Sequence, residues 1–407
     1  MAGQIWPKAL DFKAHILKAF ILVEDLVGWH PVGPDGAATP DLFPSICPLE
    51  APGLAINHTP QQVVWSHKPV CKGFVADPAS KYCVYTDTQY GPNGISIIAK
   101  QRVMDASILE CVANNRTILP KTTSQTHFSR STTPKPYEVV DIEGKGKGLV
   151  ATRPIAAHEV ILTDEATLIM DKNIQRWMTQ PDGYTLLNAS MAQLPSPAVI
   201  ADLHRLPTAR GNLVFDTLNA NSLTIKLRMP NMAVLPRIAR INHDCRPNAY
   251  MRLPTDGLSG TVVAGEQGIA QGEEITISYL PVELARQRRR RNLEKDWGFE
   301  CGCKLCTAPE EEVAASDANR KRLHELETKS QYASYDNKTE EAIQLTEESL
   351  EVLREEDLMI TAKWRYIWLS MLYEKLGRED EKQKYENLAD EWKEKWLGDD
   401  VDWEIRA

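Results

Sequence analysis

The chain has 407 residues, of which 43% are hydrophobic and 25% are charged, as in an ordinary soluble globular protein. A chain of this length exceeds one ordinary hydrophobic core, so we expect two or three domains. Its net charge of −9 argues against sequence-independent binding to nucleic acid, which requires a basic surface, and is compatible with a basic peptide partner.

Membrane insertion is not expected, because no stretch approaches the ~20 consecutive apolar residues of a membrane span. The first residues also lack the basic, apolar and small-residue pattern of a signal peptide. We therefore expect no membrane partner and favour the cytoplasm or the nucleus, although the sequence does not decide the compartment. The spacing of one apolar group near the N-terminus predicts an amphipathic helix: Phe12, Ile16, Ala19, Phe20, Val23 and Val27.

Residues 1–136 are predicted to form an irregular N-terminal region. From residue 28 the region is rich in Pro, Gly, Ser and Thr, with short apolar runs such as 94–98, which indicate some β-structure. Four of the eight cysteines lie here: Cys47, Cys71, Cys83 and Cys111. Their spacing is compatible with two disulfides and with four reduced thiols, so the sequence leaves their redox state open.

From residue 137 the pattern changes to short strands separated by turns, at 137–140, 148–152, 159–162 and 166–170. Residues 171–232 are predicted to be a helical insertion. Strand patterns return at 260–264 and 274–279, which gives a second domain over 137–293.

After residue 307 the pattern is almost wholly helical, and we predict a helical region over 315–398. Two apolar stripes have helical spacing: Trp364, Trp368, Met371 and Leu372, then Leu388, Trp392 and Trp396. Gly377 is a stop signal between them. Because no repeated signature is present, we interpret this region as a helical cap and not as a repeat array.

The segment Gly144-Lys-Gly-Lys-Gly148 lies between two predicted strands. A dinucleotide-binding fingerprint requires a helix after its glycines, so that interpretation fails. Alternating glycines between strands instead expose backbone groups that a ligand approaches closely. A plain hairpin turn is the alternative.

A zinc site is predicted from Cys245 and the later cluster Cys301-Gly-Cys303-Lys-Leu-Cys306. They supply four thiols, the number that a closed tetrahedral zinc site requires. Chance spacing or two disulfides is the alternative. Asn242-His243 directly precedes the first thiol. The alternative is a capping pair that satisfies backbone groups, since a lone histidine is more often structural than functional.

Strand alternation over 274–279 places Ile275, Ile277 and Tyr279 on one face, so Tyr279 is expected to be buried with a hydrogen-bond partner. A structural core tyrosine is the alternative to a functional one. The basic run of Arg286 and Arg288 to Arg291 is predicted to be a solvated helix face and not a nucleic-acid contact.

Four of these motifs, in this order over 137–307, resemble those of SET-domain protein lysine methyltransferases. They are Lys145-Gly-Lys-Gly-Leu149, Asn242-His243-x-Cys245-x-Pro247-Asn248, Gly272-Glu-Glu-x-Thr-x-x-Tyr279 and Trp297-Gly-Phe299-x-Cys301-x-Cys303-x2-Cys306. Asn221-Ser-Leu-Thr-Ile225 and the helical C-terminal region are similar to the SET-and-MYND subgroup. The N-terminal cysteines are too few and too widely spaced for the two zinc sites of a MYND finger, so the chain looks most like fungal-type SET proteins.

The resemblance implies an α+β fold: a β-rich SET domain with a helical insertion, a zinc-bound post-SET segment at 294–308, an irregular N-terminal lobe and an all-helical C-terminal region. It also implies S-adenosylmethionine as cofactor and methyl transfer to a lysine of a protein or peptide. The alternatives are a SET-fold enzyme that modifies a small molecule and a cofactor-binding interaction module without this activity.

The resemblance assigns roles to individual residues. For the cofactor, it places Lys145, Gly146 and Lys147 on the methionine part or ribose, Asn221, Asn242 and His243 on polar groups, and Trp297 and Phe299 on the adenine. It places Tyr279 at the point of methyl transfer. The zinc ligands would be Cys245, Cys301, Cys303 and Cys306. Two positions depart from the usual pattern, Asp244 in place of Ser and Ser278 in place of Asp. Neither departure removes a predicted cofactor contact.

Overall fold

The computed structural model describes residues 65–73, 81–100, 104, 135–203, 211–227, 229–254, 258–397 and 403–406. Of residues 226, 227, 229, 254, 397 and 403–406 it describes the backbone alone. These residues belong to one compact unit, Ser45–Ala407. The predicted N-terminal amphipathic helix, Cys47 and Cys111 lie outside the described residues.

Within those ranges the chain forms fourteen strands. They are β1 Val70–Lys72, β2 Tyr82–Asp87, β3 Ile95–Lys100, β4 Tyr137–Ile142, β5 Gly146–Ala151, β6 Val160–Glu165, β7 Leu168–Asp171, β8 Leu223–Leu227, β9 Met229–Val234, β10 Asn242–His243, β11 Ala249–Pro254, β12 Ser259–Ala264, β13 Glu274–Ile277 and β14 Trp403–Arg406.

The described residues also form nine α-helices. They are α1 Gln180–Gln193, α2 Ala198–Ala201, α3 Leu213–Asn221, α4 Arg286–Trp297, α5 Lys304–Thr307, α6 Glu310–Tyr335, α7 Thr339–Glu355, α8 Lys363–Lys375 and α9 Glu379–Leu397. Among them, none is both long and apolar enough to cross a bilayer.

The strands form three sheets, with strand orders β1-β2-β3-β7-β9-β8, β10-β13-β5-β4 and β14-β11-β12-β6. In the first sheet β3 pairs with β7 in parallel, at Ile97 and Ile169. Strands from both sides of the boundary predicted at residue 136 therefore share one sheet.

The central strands β2 and β3 are buried on both faces. Successive strand side chains point to opposite sides of a sheet, so alternate residues enter two different cores. Tyr85 and Ile97 pack into the core shared with the other two sheets, whereas Tyr82, Val84 and Ile98 pack beneath α1 and α3. This double burial explains why the run at 94–98 is almost continuously apolar.

The segment predicted as a helical insertion, 171–232, contains α1, α2 and α3. It also contains β8 and the start of β9, which the prediction did not include. Asn212 accepts a hydrogen bond from the backbone of Phe215 and so begins α3, and the extended backbone of Ser222 ends it. The chain then enters β8, which returns to the six-stranded sheet.

The C-terminal helices α6 to α9 form a further core, to which Tyr250 and Val263 of the third sheet also contribute. Leu369, Leu372 and Trp396 are buried in it. Trp364 is 66% exposed and Met371 is also exposed, so these two do not belong to the predicted apolar stripe. Beyond the predicted helical region, β14 pairs with β11 of the third sheet.

Cys71 and Cys83 occupy paired positions of β1 and β2 and form a disulfide. Their pairing depends on the register of two strands, which cysteine spacing does not encode.

Candidate active site

The glycine-rich segment forms the hairpin between β4 and β5, with Ile142 opposite Gly146. Gly144 and Gly146 both have a φ of 73°, a left-handed conformation that glycine adopts without steric cost. A Cβ built at either position would meet no atom within 4 Å. The backbone of the turn is therefore open to a ligand.

Gly148, at the base of this hairpin, is closely approached by other side chains. A Cβ built there would lie 2.7 Å from Asn242 Nδ2 and 3.2 Å from Glu274 Oε1. The absence of a side chain at 148 therefore allows the hairpin and Asn242 to come together.

We predict that Gly148→Ala lowers the free energy of unfolding by about 1–3 kcal/mol, because the added methyl group overpacks this contact. Denaturant titration measures the change. Gly183→Ala is the matched control: within α1, a Cβ at Gly183 would only touch Met178 Sδ at 4.0 Å, so this replacement is expected to stabilise the helix by about 0.5–1 kcal/mol. An unchanged stability of Gly148→Ala would contradict the close approach.

Glu274 connects the hairpin to β10. Its carboxylate lies 2.7 Å from Lys145 Nζ and accepts a hydrogen bond of 2.9 Å from Asn242 Nδ2. Sequence reasoning missed Glu274, although the alternation that turns Ile275 inward also turns Glu274 to the opposite face. Two predicted cofactor-binding residues, Lys145 and Asn242, are thus held by one carboxylate.

The side chain of Lys147 turns away from this group and pairs with Asp141 on the same hairpin, at 3.1 Å. The backbone carbonyl of Lys147 remains on the Asn242 side and accepts a hydrogen bond of 3.4 Å from its amide. Only the backbone of Lys147 therefore faces the predicted cofactor site.

His243 lies between the tyrosine and the first cysteine of the cluster. The backbone N–H of Tyr279 donates to His243 Nδ1 at 3.1 Å, which assigns the proton of the neutral ring to Nε2. That Nε2 lies 3.4 Å from Cys245 Sγ. Burial lowers the pKa of His243 to about 4, so the ring is neutral near pH 7 and donates to the sulfur.

Tyr279 lies two residues beyond the end of β13, because its N–H binds His243 and not a neighbouring strand. The prediction that the strand extends to residue 279 is therefore wrong. The phenol hydroxyl donates to the backbone carbonyl of Ile241 at 2.8 Å. Burial raises the pKa of Tyr279, so the hydroxyl remains protonated near pH 7.

Aromatic rings surround Tyr279. Its ring centroid lies 5.3 Å from those of His243 and Trp297 and 6.5 Å from that of Phe299. Trp297 also donates its indole N–H to the carbonyl of Ala220 at 3.1 Å, next to Asn221 at the end of α3. The fold therefore brings together five predicted site residues that are far apart in the sequence: Asn221, His243, Tyr279, Trp297 and Phe299.

The cysteine cluster is buried beside these rings. The Sγ atoms of Cys245, Cys301, Cys303 and Cys306 all lie within 4.8 Å of one another, and none of the four is in a disulfide. Cys245 Sγ lies 3.8 Å from Cys301 Sγ and 3.6 Å from Cys306 Sγ. Tetrahedral zinc with Zn–S bonds of about 2.3 Å separates its sulfurs by about 3.8 Å, so the donor set and its size fit zinc.

The basic run lies on α4 and only part of it is solvated. Arg288 and Arg291 are exposed, as expected. Arg289 is 1% exposed and donates to the carbonyl of Leu284, so the predicted solvated face does not include it. Its burial follows from its position on the side of α4 that also carries the buried Leu293.

Residues 146–280 match the family model described as "SET domain". The match begins at the second strand of the hairpin and ends just after Tyr279, before Cys301, Cys303 and Cys306. The resemblance that the motifs predicted is thereby confirmed.

Related proteins match over part of their length. The histone-lysine N-methyltransferase ASHR2 of Arabidopsis thaliana is 32% identical over 77 residues, which are 18% of this chain and 19% of that protein. The histone-lysine N-methyltransferase set5 of Schizosaccharomyces pombe is 28% identical over 191 residues, which are 46% of this chain and 56% of that protein. The crystal structure of the SET domain of LSMT bound to lysine and AdoHcy is 12% identical, with a TM-score of 0.27, over 46% of this chain and 58% of that one.

Proposed function

We propose that this chain, whose residues 146–280 match a SET domain, transfers the methyl group of S-adenosylmethionine to the side-chain amine of a lysine in a protein. The observation that carries the proposal is the convergence of the open glycine hairpin, Asn242 and the aromatic group around Tyr279. The names of the relatives, both histone-lysine N-methyltransferases, support the same acceptor.

The residues of the site suit such a cofactor. When bound, S-adenosylmethionine supplies an electrophilic methyl group on a positively charged sulfur. The hairpin backbone around Gly146 offers peptide groups, Asn242 and Glu274 offer polar side-chain groups, and Trp297 and Phe299 offer aromatic faces. We infer that Lys145, Asn221 and His243 complete this set and that the side chain of Lys147 does not.

The acceptor amine must be neutral to attack, whereas a free lysine has a pKa of about 10.4. Removal from water, together with the positive charge on the sulfur of the bound cofactor, would disfavour the ammonium form and so promote loss of its proton. The protonated hydroxyl of Tyr279 positions the reacting groups, and we expect alignment to supply much of the rate acceleration. The net charge of −9 favours a basic protein as substrate, in the nucleus or the cytoplasm.

Release of S-adenosylhomocysteine tests the proposed acceptor. The protein is incubated with S-adenosylmethionine and a library of lysine-containing peptides, and with the same library carrying arginine at each lysine. We expect product with the lysine library alone. Equal release from both libraries, or release only with small molecules of a cell extract, would overturn protein lysine as acceptor.

We predict that Asn242→Ala weakens the binding of S-adenosylmethionine roughly 5- to 100-fold, since it removes a half-buried hydrogen-bonding group of the site, worth about 1–3 kcal/mol. Isothermal titration calorimetry measures the affinity. Gln383→Ala, which removes an exposed amide from α9, is the control and should bind as the wild type does. An unchanged affinity in Asn242→Ala would place the cofactor elsewhere.

We also infer that Cys245, Cys301, Cys303 and Cys306 hold one zinc ion as thiolates. The hydrogen bond from neutral His243 to Cys245 supports this assignment, because a thiolate is a better acceptor than a thiol and because such outer contacts orient metal ligands. Zinc would fix the segment that carries Phe299 against the segment that carries Asn242.

A further inference from the structure

Two buried guanidinium groups lie near the cysteine cluster: Arg289 donates to the carbonyl of Leu284, whose side chain packs against the cluster, and Arg320 contacts the backbone of Cys245. Arg289 belongs to α4, and Arg320 belongs to α6 in the C-terminal helical region; each is 1% exposed. Arg320 Nη2 donates to the backbone carbonyl of Cys245 at 3.4 Å. A C-terminal helix therefore places a positive charge at the backbone of the first cysteine of the cluster.

Among the described residues, each of these two arginines pairs with one carboxylate, and one of the two carboxylates is shared with a third arginine. Arg289 Nη1 lies 3.7 Å from Asp317 Oδ1. Arg320 Nε lies 3.5 Å from Glu356 Oε2, an oxygen that is also 3.2 Å from Nη2 of Arg246. The same Nε donates to Ser316 Oγ at 3.2 Å.

Both guanidinium groups also have buried nitrogens without a hydrogen-bond partner in the part of the chain that the structure describes. These are Nε and Nη2 of Arg289 and Nη1 of Arg320. A guanidinium group remains charged near pH 7 even when it is buried. Buried charges of this kind are strongly unfavourable unless an opposite charge compensates them.

A zinc ion held by four thiolates carries a net charge of −2, which would add to the partial compensation that Asp317 and Glu356 give these two cations. We propose that Arg289 and Arg320 are the buried countercharges of the metal centre, and that Arg320 thereby links zinc binding to the docking of the C-terminal helices. The proposal rests on the zinc site inferred above. It explains why two arginines with incomplete carboxylate pairing lie at one place in the interior.

The link has a reciprocal consequence. If the thiolate–zinc centre stabilises the charge of Arg320, bound zinc favours the docking of α6 against the SET region. Docked α6 must then raise the affinity for zinc by the same factor by which zinc raises the docking equilibrium constant. Arg320 acts here as a positioning and charge-compensating residue and does not contact substrate.

Substitution of Arg320 separates charge from packing. Arg320→Met fills much of the same space without charge, whereas Arg320→Lys keeps the charge with fewer donors. Competition of the full-length protein with a chromogenic chelator measures the zinc affinity. We expect the zinc affinity of Arg320→Met to fall roughly 10- to 100-fold, the range for loss of an outer contact to a metal ligand. The zinc affinity of Arg320→Lys should stay within a few-fold of the wild type. Arg322→Met, on the exposed face of the same helix, should bind zinc as the wild type does.

The outcomes distinguish the two inferences. A wild type without zinc would refute the metal site itself and, with it, the countercharges. A zinc-binding wild type with an unaltered Arg320→Met, or with equal losses in the Met and Lys variants, would refute the countercharge role alone.

A second measurement applies if Arg320→Met does not fold. Hydrogen exchange of the wild type should show at least tenfold faster exchange of α6 amides near Arg320 after a chelator removes zinc. Unchanged protection there would contradict the link between zinc and the C-terminal helices.

Discussion

Tyr279→Phe is expected to lower kcat roughly 100- to 1000-fold, the range for loss of one preorganised hydrogen-bonding group, while the affinity for S-adenosylmethionine stays within a few-fold of the wild type. The substitution keeps the ring that packs against His243 and Trp297 and removes only the hydroxyl. An interaction that matters mainly in the transition state affects turnover and not binding. Single-turnover kinetics and calorimetry on the same preparations measure the two effects.

A structural role of this hydroxyl needs a separate control, since it donates to the carbonyl of Ile241. Tyr90 is also buried, and its hydroxyl donates to the carbonyl of Leu258 at 3.3 Å. Tyr90→Phe should lower the free energy of unfolding by ~1 kcal/mol, as loss of the Tyr279 hydroxyl should, but leave kcat unchanged. Equal losses of binding and turnover in Tyr279→Phe would indicate a structural tyrosine, and no loss of either would place the chemistry elsewhere.

Cys301→Ser is expected to abolish stoichiometric zinc binding and to cause the largest loss of stability among these variants. Structural zinc sites contribute apparent binding free energies of about 10–16 kcal/mol, and a serine hydroxyl does not replace a thiolate ligand. Since Phe299 lies two residues before Cys301, loss of the metal should also weaken cofactor binding. Elemental analysis, thermal unfolding and calorimetry measure the three effects.

Gly302→Ala is the matched control for this variant. It adds a methyl group between two of the cysteines, in a position where nothing lies within 4 Å, and keeps all four thiols. Zinc content and stability should remain those of the wild type. A Cys301→Ser protein that retains one zinc per chain would exclude Cys301 as a ligand.

Much of the site was predictable, because its residues lie in short motifs with characteristic spacing. The thiols of Cys245 and Cys301 are far apart in sequence, yet four soft donors have few uses other than a metal or disulfides. The hairpin around Gly146 was predictable from glycines between two strand patterns. The roles of these residues toward a cofactor remain predictions.

The remaining features depend on long-range register, which local patterns do not encode. Glu274 acts through Lys145 and Asn242, partners on two other strands, and nothing in its own neighbourhood signals that contact. The Cys71–Cys83 disulfide depends on the pairing of β1 with β2. In the sequence, Arg289 is one of several equivalent arginines, because only the packing of α4 decides which of them is buried.

The central claim is that this site methylates a lysine side chain of a protein. The most direct test incubates the wild type and Tyr279→Phe with S-adenosylmethionine bearing an isotopically labelled methyl group and with proteins of a cell extract, then locates the label by tandem mass spectrometry. We predict labelled methyl on lysine Nζ with the wild type and strongly reduced labelling with Tyr279→Phe. Label found only on small molecules, or on protein residues other than lysine, would contradict the claim.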